Sequence, residues 1–193
     1  MEIKIREGRV DDAPWIGKVV TMAIGEELAQ ELAGSEHSVT DVERMFATLA
    51  ARDDSQYSYR NALVAVDDAD NVLGVVVAYD GARLRTLRLA FMEEAKEAIG
   101  LVFDREPDDE TGPEEFYLDS LGVFPQYRGE GIARRLIEAA AARAHAAGKP
   151  LGLLCSKGNP GARRLYDSLD FRQVGERPFA GEMMDHLILS ILS

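Results

Sequence analysis

The stretch Leu121-Gly122-Val123-Phe124-Pro125-Gln126-Tyr127-Arg128-Gly129-Glu130-Gly131-Ile132-Ala133 decides how this chain reads. In front of it, Phe116 to Val123 has the apolar character of a strand, which ends at Pro125. Behind it, Gly129 to Ala147 carries Ile132, Leu136, Ala140 and Ala144 at helical spacing, and Gly148 stops the helix. Strand, glycine turn and helix therefore follow one another between Tyr117 and Ala147. Gly129 and Gly131 lack a Cβ, so the backbone can approach a ligand closely. The first amides of the helix are unpaired and lie at the positive end of its dipole. Such a turn seats a phosphate, and Arg128 adds a fixed positive charge beside it.

Two common phosphate loops do not fit. A dinucleotide fingerprint needs three glycines and an acid at the end of the next strand. Here that strand ends Leu154-Cys155-Ser156. A Walker A loop needs Gly-Lys-Ser/Thr, and Gly131 is followed by Ile132.

Outward from this segment, Ile3 and Ile5 alternate with Lys4 and Arg6 as a first strand. Asp11 or Asp12 caps a helix with Pro14 in its first turn, and its apolar stripe runs from Ile16 through Leu28 to Leu32. Thr40-Asp41-Val42-Glu43 reads as a capping box that opens a second helix. Ala62 to Val66 and Val72 to Tyr79 form a hairpin around Asp67-Asp68-Ala69-Asp70-Asn71. Arg83 to Ile99 is a helix and 104–115 an acidic loop. Leu151 to Cys155 is a short buried strand and Asn159 to Leu169 a helix. Phe171 to Glu176 and His186 to Ile191 are the last strands. The expected fold is α/β, a mixed sheet with helices on its faces, and 1–193 reads as one domain.

Here the chain resembles a known family. The segment Leu121 to Ala133 resembles the Q/R-x-x-G-x-G/A signature of the GNAT superfamily of N-acetyltransferases, with its preceding apolar strand and proline. Asn159-Pro160-Gly161-Ala162-Arg163-Arg164-Leu165-Tyr166, followed by Phe171, resembles that family's N-x-x-A-x-x-L-Y element. Together the two motifs cover about 116–172. The resemblance implies a mostly antiparallel central sheet with splayed central strands. It implies acetyl-CoA as cosubstrate and transfer of its acetyl group to a primary amine of a small molecule or peptide. The alternative is an acyl-CoA-binding sensor or regulatory subunit on the same fold.

By the same resemblance, the backbone of Leu121, Gly122 and Val123 borders the pantetheine arm. Backbone from Arg128 through Gly129, Glu130, Gly131 and Ile132 to Ala133 holds the pyrophosphate. Asn159 contacts the cofactor arm or is a plain helix cap. Tyr166 protonates the departing thiolate. Asp170 stands where the family often has glycine, and aspartate tolerates the left-handed turn. For the base, strand alternation groups Tyr117, Asp119 and Leu121, which makes Asp119 a candidate base or amine anchor. Glu114 and Glu115 are alternatives. Positions of about 80–114 read as a substrate-side insertion.

Composition limits the remaining possibilities. A net charge of −12 leaves no basic face for nucleic acid. No apolar run approaches the roughly 18 residues of a membrane span. The opening residues do not form a signal peptide, so the expected location is cytoplasmic. Cys155, the single cysteine, lies in an apolar run and reads as packing. His37, His145 and His186 form no metal or nucleophile pattern, so a metal-free, direct transfer is expected. A homodimer is an open possibility, since terminal strands in this family often meet a partner. The acceptor stays open too. Arg83, Arg85 and Arg88 suit a carboxylate, whereas seven acids between Asp104 and Glu115 suit a cation. Either set also reads as a solvated face.

Overall fold

The computed structural model describes residues 2–190. Its strands are β1 (Lys4–Glu7), β2 (Ala62–Val66), β3 (Val72–Asp80), β4 (Phe116–Val123), β5 (Leu151–Cys155), β6 (Arg172–Phe179) and β7 (Glu182–Leu189). They form one sheet in the order β1-β2-β3-β4-β5-β7-β6. Every neighbouring pair is antiparallel except β4 and β5, which are parallel. The helices are α1 (Ala13–Ile24), α2 (Glu26–Ala33), α3 (Val39–Ala51), α4 (Leu84–Ile99), α5 (Ile132–Ala146) and α6 (Pro160–Asp167). This is the mixed, mostly antiparallel α/β sheet expected from the sequence.

Side-chain alternation along β3 divides the interior in two. Val75, Val77 and Tyr79 pack with α1, α3 and α4. Leu73, Val76 and Ala78 pack with Ile132, Leu136 and Ile137 of α5. Both β2 and β3 are covered on both faces, which explains their continuous apolar runs. Between them, Asp67 Oδ1 accepts from the amides of Ala69 and Asn71 and closes the turn.

Three expectations are corrected. The first apolar stripe is two helices, because Gly25 has φ +85° and breaks the run before Leu28. The capping box belongs to Ser38 and Asp41, at the first turn of α3. Ser38 Oγ accepts from the Asp41 amide at 3.3 Å, and Asp41 Oδ2 accepts from the Ser38 amide at 2.9 Å. The last two strands are longer and nearer one another than expected. Ala180 and Gly181, both at positive φ, make their hairpin turn. Exposed polar residues along β6 had concealed its period. The expected end of β7 at Ile191 lies outside the described residues. Among the described residues, no helix is long and apolar enough to cross a membrane.

The feature that shapes the site is the pairing of β4 with β5. It extends only over Phe116–Leu151 and Tyr117–Gly152. Past Tyr117 the two strands part.

Candidate active site

A cleft of about 790 Å³ opens where β4 and β5 separate. Leu118 to Val123 line one side and Leu153 to Ser156 the other. Met22 to Ile24 at the end of α1, and Ala162, Leu165 and Tyr166 of α6, complete its walls.

The Phe124 amide donates to Leu73 O at 3.0 Å. Alternation therefore turns the backbone groups of 122 and 124 to β3, and those of Leu121 and Val123 towards the gap. The Val123 carbonyl accepts from Arg128 Nε at 3.1 Å, so that carbonyl is occupied. Gly122 borders the cleft, but its missing side chain serves packing: a Cβ there would lie 2.9 Å from Val19 Cγ1.

At the end of β4 the chain turns through Gly129 (φ +86°) and Gly131 (φ +75°) into α5. No side chain caps this helix. The first amide to bond back is Arg135, to Gly131 O at 3.2 Å. Thus the amides of Ile132, Ala133 and Arg134 have no helical acceptor. Gly129, Glu130 and Gly131 are exposed, whereas the Ile132 side chain is in the core and offers only its backbone. Arg128 and Ala133 line the cleft directly.

Asp119 occupies a β-bulge. Val77 pairs with Ser120 and Ala78 with Leu118, which leaves Asp119 as the extra residue. The bulge overturns the expected grouping of Tyr117, Asp119 and Leu121 on one face. Tyr117 packs on the side of α1, α3 and α4, and Leu121 packs on the α5 side. Asp119 Oδ2 accepts from Tyr79 Oη at 2.9 Å and from Gln56 Nε2 at 3.3 Å. Its Oδ1 accepts from Ser120 Oγ at 2.9 Å. Burial pushes this carboxyl above its ordinary range, against the pull of those three donors.

On α6, Asn159 Oδ1 accepts from the Ala162 amide at 3.0 Å and caps the helix, at the edge of the cleft. Tyr166 is 8% exposed, lines the cleft and packs 5.5 Å from Phe171. Burial, and then the neighbouring Cys155, push its phenol up. The turn after α6 is made by Asp170 at φ +66°, the left-handed conformation that aspartate was expected to bear. Cys155 lines the cleft, but burial raises its thiol instead of acidifying it.

The two alternative acids stand apart. Glu114 pairs with Arg177 at 3.1 Å. Glu115 is fully buried between Thr111 Oγ1 at 2.6 Å and His186 Nε2 at 2.7 Å. Neither lines the cleft. Instead the structure brings Gln56, Tyr57 and Glu110 to the neighbourhood of Asp119. Burial first, and the Asp119 charge second, raise Glu110 to about 7 against the pull of Arg88. Sequence reading grouped Glu110 with six other loop acids and had no signal to single it out. Gln56 follows α3 in an irregular segment with no motif of its own.

The opposed charges of α4 and the acidic loop satisfy one another. Arg88 donates to Pro107 O, Asp109 Oδ1, Asp108 O and Glu110 Oε2 at 2.6–3.1 Å. Arg85 donates twice to Asp109. Four of the five Arg88 N–H groups are thereby used. Arg88 and Glu110 expose only 4% and 7% of their side chains. Arg88→Met should therefore destabilise the protein by about 3 kcal/mol, because it strands a buried carboxyl and two carbonyls. Urea unfolding measures this. A loss below about 1 kcal/mol would show that the loop is held by other contacts.

Comparison with known proteins gives the family and agrees with the fold. The sequence model of the acetyltransferase (GNAT) family matches residues 26–171. A crystal structure of an acetyltransferase is 30% identical, with a TM-score of 0.77 over 96% of this chain and 97% of that one. An N-acetyltransferase from Staphylococcus aureus Mu50 is 22% identical, with a TM-score of 0.77 over 96% of this chain and all (100%) of the other. The NatC complex bound to Gag peptide and CoA shares the fold at 20% identity and a TM-score of 0.58, over 100% of both chains. A search of curated proteins returns no match. The family match over most of its length, together with a near-full-length relative at 30% identity, establishes that this chain belongs to the GNAT acetyltransferase family.

Proposed function

We propose that the protein is an N-acetyltransferase that passes the acetyl group of acetyl-CoA directly to a primary amine of a small molecule or peptide. One observation carries this reading. The cleft between the splayed strands has uncapped helix amides at one end and a half-buried, hydrogen-bonded carboxylate at the other.

The residues present fit acetyl-CoA. The amides at the start of α5 and the Arg128 charge suit a pyrophosphate. An added Cβ at Gly129 or Gly131 would meet no protein atom, so the turn leaves space for a ligand against the backbone. Leu121 and Val123 turn backbone groups towards the gap where β4 and β5 part, which suits the amides of a pantetheine arm. Acetyl-CoA, when bound, supplies the activated acetyl group.

Asp119 has the chemistry to hold the incoming ammonium and accept its proton. Its raised carboxyl is a stronger base than an exposed aspartate. Tyr79, Gln56 and Ser120 fix its orientation. On the opposite wall, Tyr166 keeps its proton, and can give it to sulfur as negative charge develops there. Asn159, whose side chain is engaged by the Ala162 amide, sets the start of α6 and with it the position of Tyr166.

The direct test follows release of free thiol from acetyl-CoA across a panel of amines, together with the mass of the amine product. Amine-dependent release with an acetylated product is expected. Tight acetyl-CoA binding without release on any amine would instead indicate a sensor. Cys155→Ala should transfer at nearly the wild-type rate, since a buried thiol with a raised pKa is a poor nucleophile. Loss of transfer in a Cys155→Ala protein that still binds acetyl-CoA would overturn direct transfer.

A further inference from the structure

A second cavity, of about 580 Å³, adjoins the cleft. The two share Ile24, Tyr57 and Phe179 as walls. Gln56 borders the second cavity and Asp119 the first, and the hydrogen bond between them marks the junction.

The character of this cavity limits what it can hold. Leu28 and Leu32 of α2, Phe46 of α3 and Phe91 of α4 make its walls apolar. Its buried cation, Arg88, is committed to the loop at 107–110 and has little left for a ligand carboxylate. Around the junction the two carboxyls of Asp119 and Glu110 face that one guanidinium, while Asp109 is shared between Arg88 and Arg85. Gln56 Oε1 is the one buried side-chain acceptor without a partner among the described residues. Its amide nitrogen faces a carboxylate that also accepts from two hydroxyls, so the oxygen is the end left over. An unmet buried acceptor is costly, and an N–H donor delivered to the junction would relieve it.

We propose that this cavity receives the body of the acceptor, and that the acceptor is a monoamine carrying its ammonium on an apolar alkyl or arylalkyl body. This rests on the transferase reading above and adds the substrate class. The ammonium lies at the Asp119–Gln56 junction, facing the thioester. The body lies among the leucines and phenylalanines, where a second ammonium or a set of hydroxyls would lose hydration without gaining partners. A polyamine or amino sugar is therefore disfavoured. Asp104 and Asp108, at the cavity's exposed edge, do not compensate a cation buried along its length.

Hexylamine and hexamethylenediamine share a six-carbon chain and differ in the second amine, so they form the test pair. With saturating acetyl-CoA, kcat/KM is expected to favour hexylamine on the order of tenfold or more. Equal rates, or preference for the diamine, overturn the proposal. Leu28→Glu, on the partly exposed α2 wall, should cut that preference at least about tenfold by giving the second ammonium a partner. An unchanged ratio in the folded variant also overturns it. Calorimetric binding of each amine to the complex of wild-type protein with CoA needs neither turnover nor a variant. If hexylamine binds and the diamine does not, but no amine is acetylated, the cavity assignment stands and the transferase reading falls. If another amine is acetylated while hexylamine neither binds nor reacts, the cavity assignment falls and the transferase reading stands.

Discussion

Asp119→Asn is expected to lower kcat by about 10²–10⁴-fold, with the affinity for acetyl-CoA nearly unchanged. Asparagine keeps the shape of the side chain within the bulge but cannot accept a proton. It also cannot accept from Tyr79, Gln56 and Ser120 together, because one of its ends is a donor. The reaction needs the carboxylate form, so transfer should rise with pH. Because burial raises the Asp119 carboxyl, that rise should lie above the ordinary carboxylate range. In Asp119→Asn the residual rate should lose this limb of the profile. If kcat were kept and only KM increased, Asp119 would anchor the amine without taking its proton. Glu110, raised to about 7 beside it, would then be the base to test with Glu110→Gln.

Gly131→Val is expected to weaken acetyl-CoA binding by about tenfold or more, or roughly 1.4 kcal/mol. Protein crowding is not the reason, since no protein atom lies within 4 Å of an added Cβ. The reason is the backbone, which has φ +75° and ψ 9° at this residue. A left-handed conformation costs an ordinary residue about 1–2 kcal/mol, and a β-branched one resists it further. Relief of that strain rotates the amides that follow, which are those with no helical acceptor. Gly148 provides the control. It has φ +69°, nothing within 4 Å of an added Cβ, and lies beyond the other end of α5. Gly148→Val should cost similar stability and leave acetyl-CoA affinity unchanged. Equal losses of affinity in both variants would mean that the turn acts only through stability.

The parts of the fold that could be read from sequence are those where local chemistry and packing agree. Leu151 to Cys155 and the Ala62–Val66 strand carry continuous apolar runs because both of their faces are covered, and their ends, like those of Phe116 to Val123, are found as expected. The turn glycines 129 and 131 announce themselves because only glycine adopts their backbone cheaply. What escaped was set by long-range contacts. The bulge at Asp119 leaves no mark in residue pattern, since it arises from how β3 and β4 register. It puts Tyr117 and Leu121 on opposite faces, against simple alternation. Glu110 stands apart from its neighbours in the loop through its burial near Asp119 and its pairing with Arg88, 22 residues earlier in the chain. The substrate side was undecidable for a related reason. The basic helix and the acidic loop each suggested a ligand of opposite charge, and folding pairs them with one another. The apolar cavity then comes from residues on α2, α3 and α4, none of which belongs to a motif.

The central claim is direct transfer from acetyl-CoA to an amine within the cleft between β4 and β5. A single-turnover reaction with hexylamine, with protein and product followed together by mass spectrometry, tests it most directly. The acetyl mass should appear on the amine as thiol is released, at no time on the protein, and far more slowly in Asp119→Asn. Acetyl mass accumulating on the protein before the amine, or equal product formation by wild type and Asp119→Asn, would contradict it.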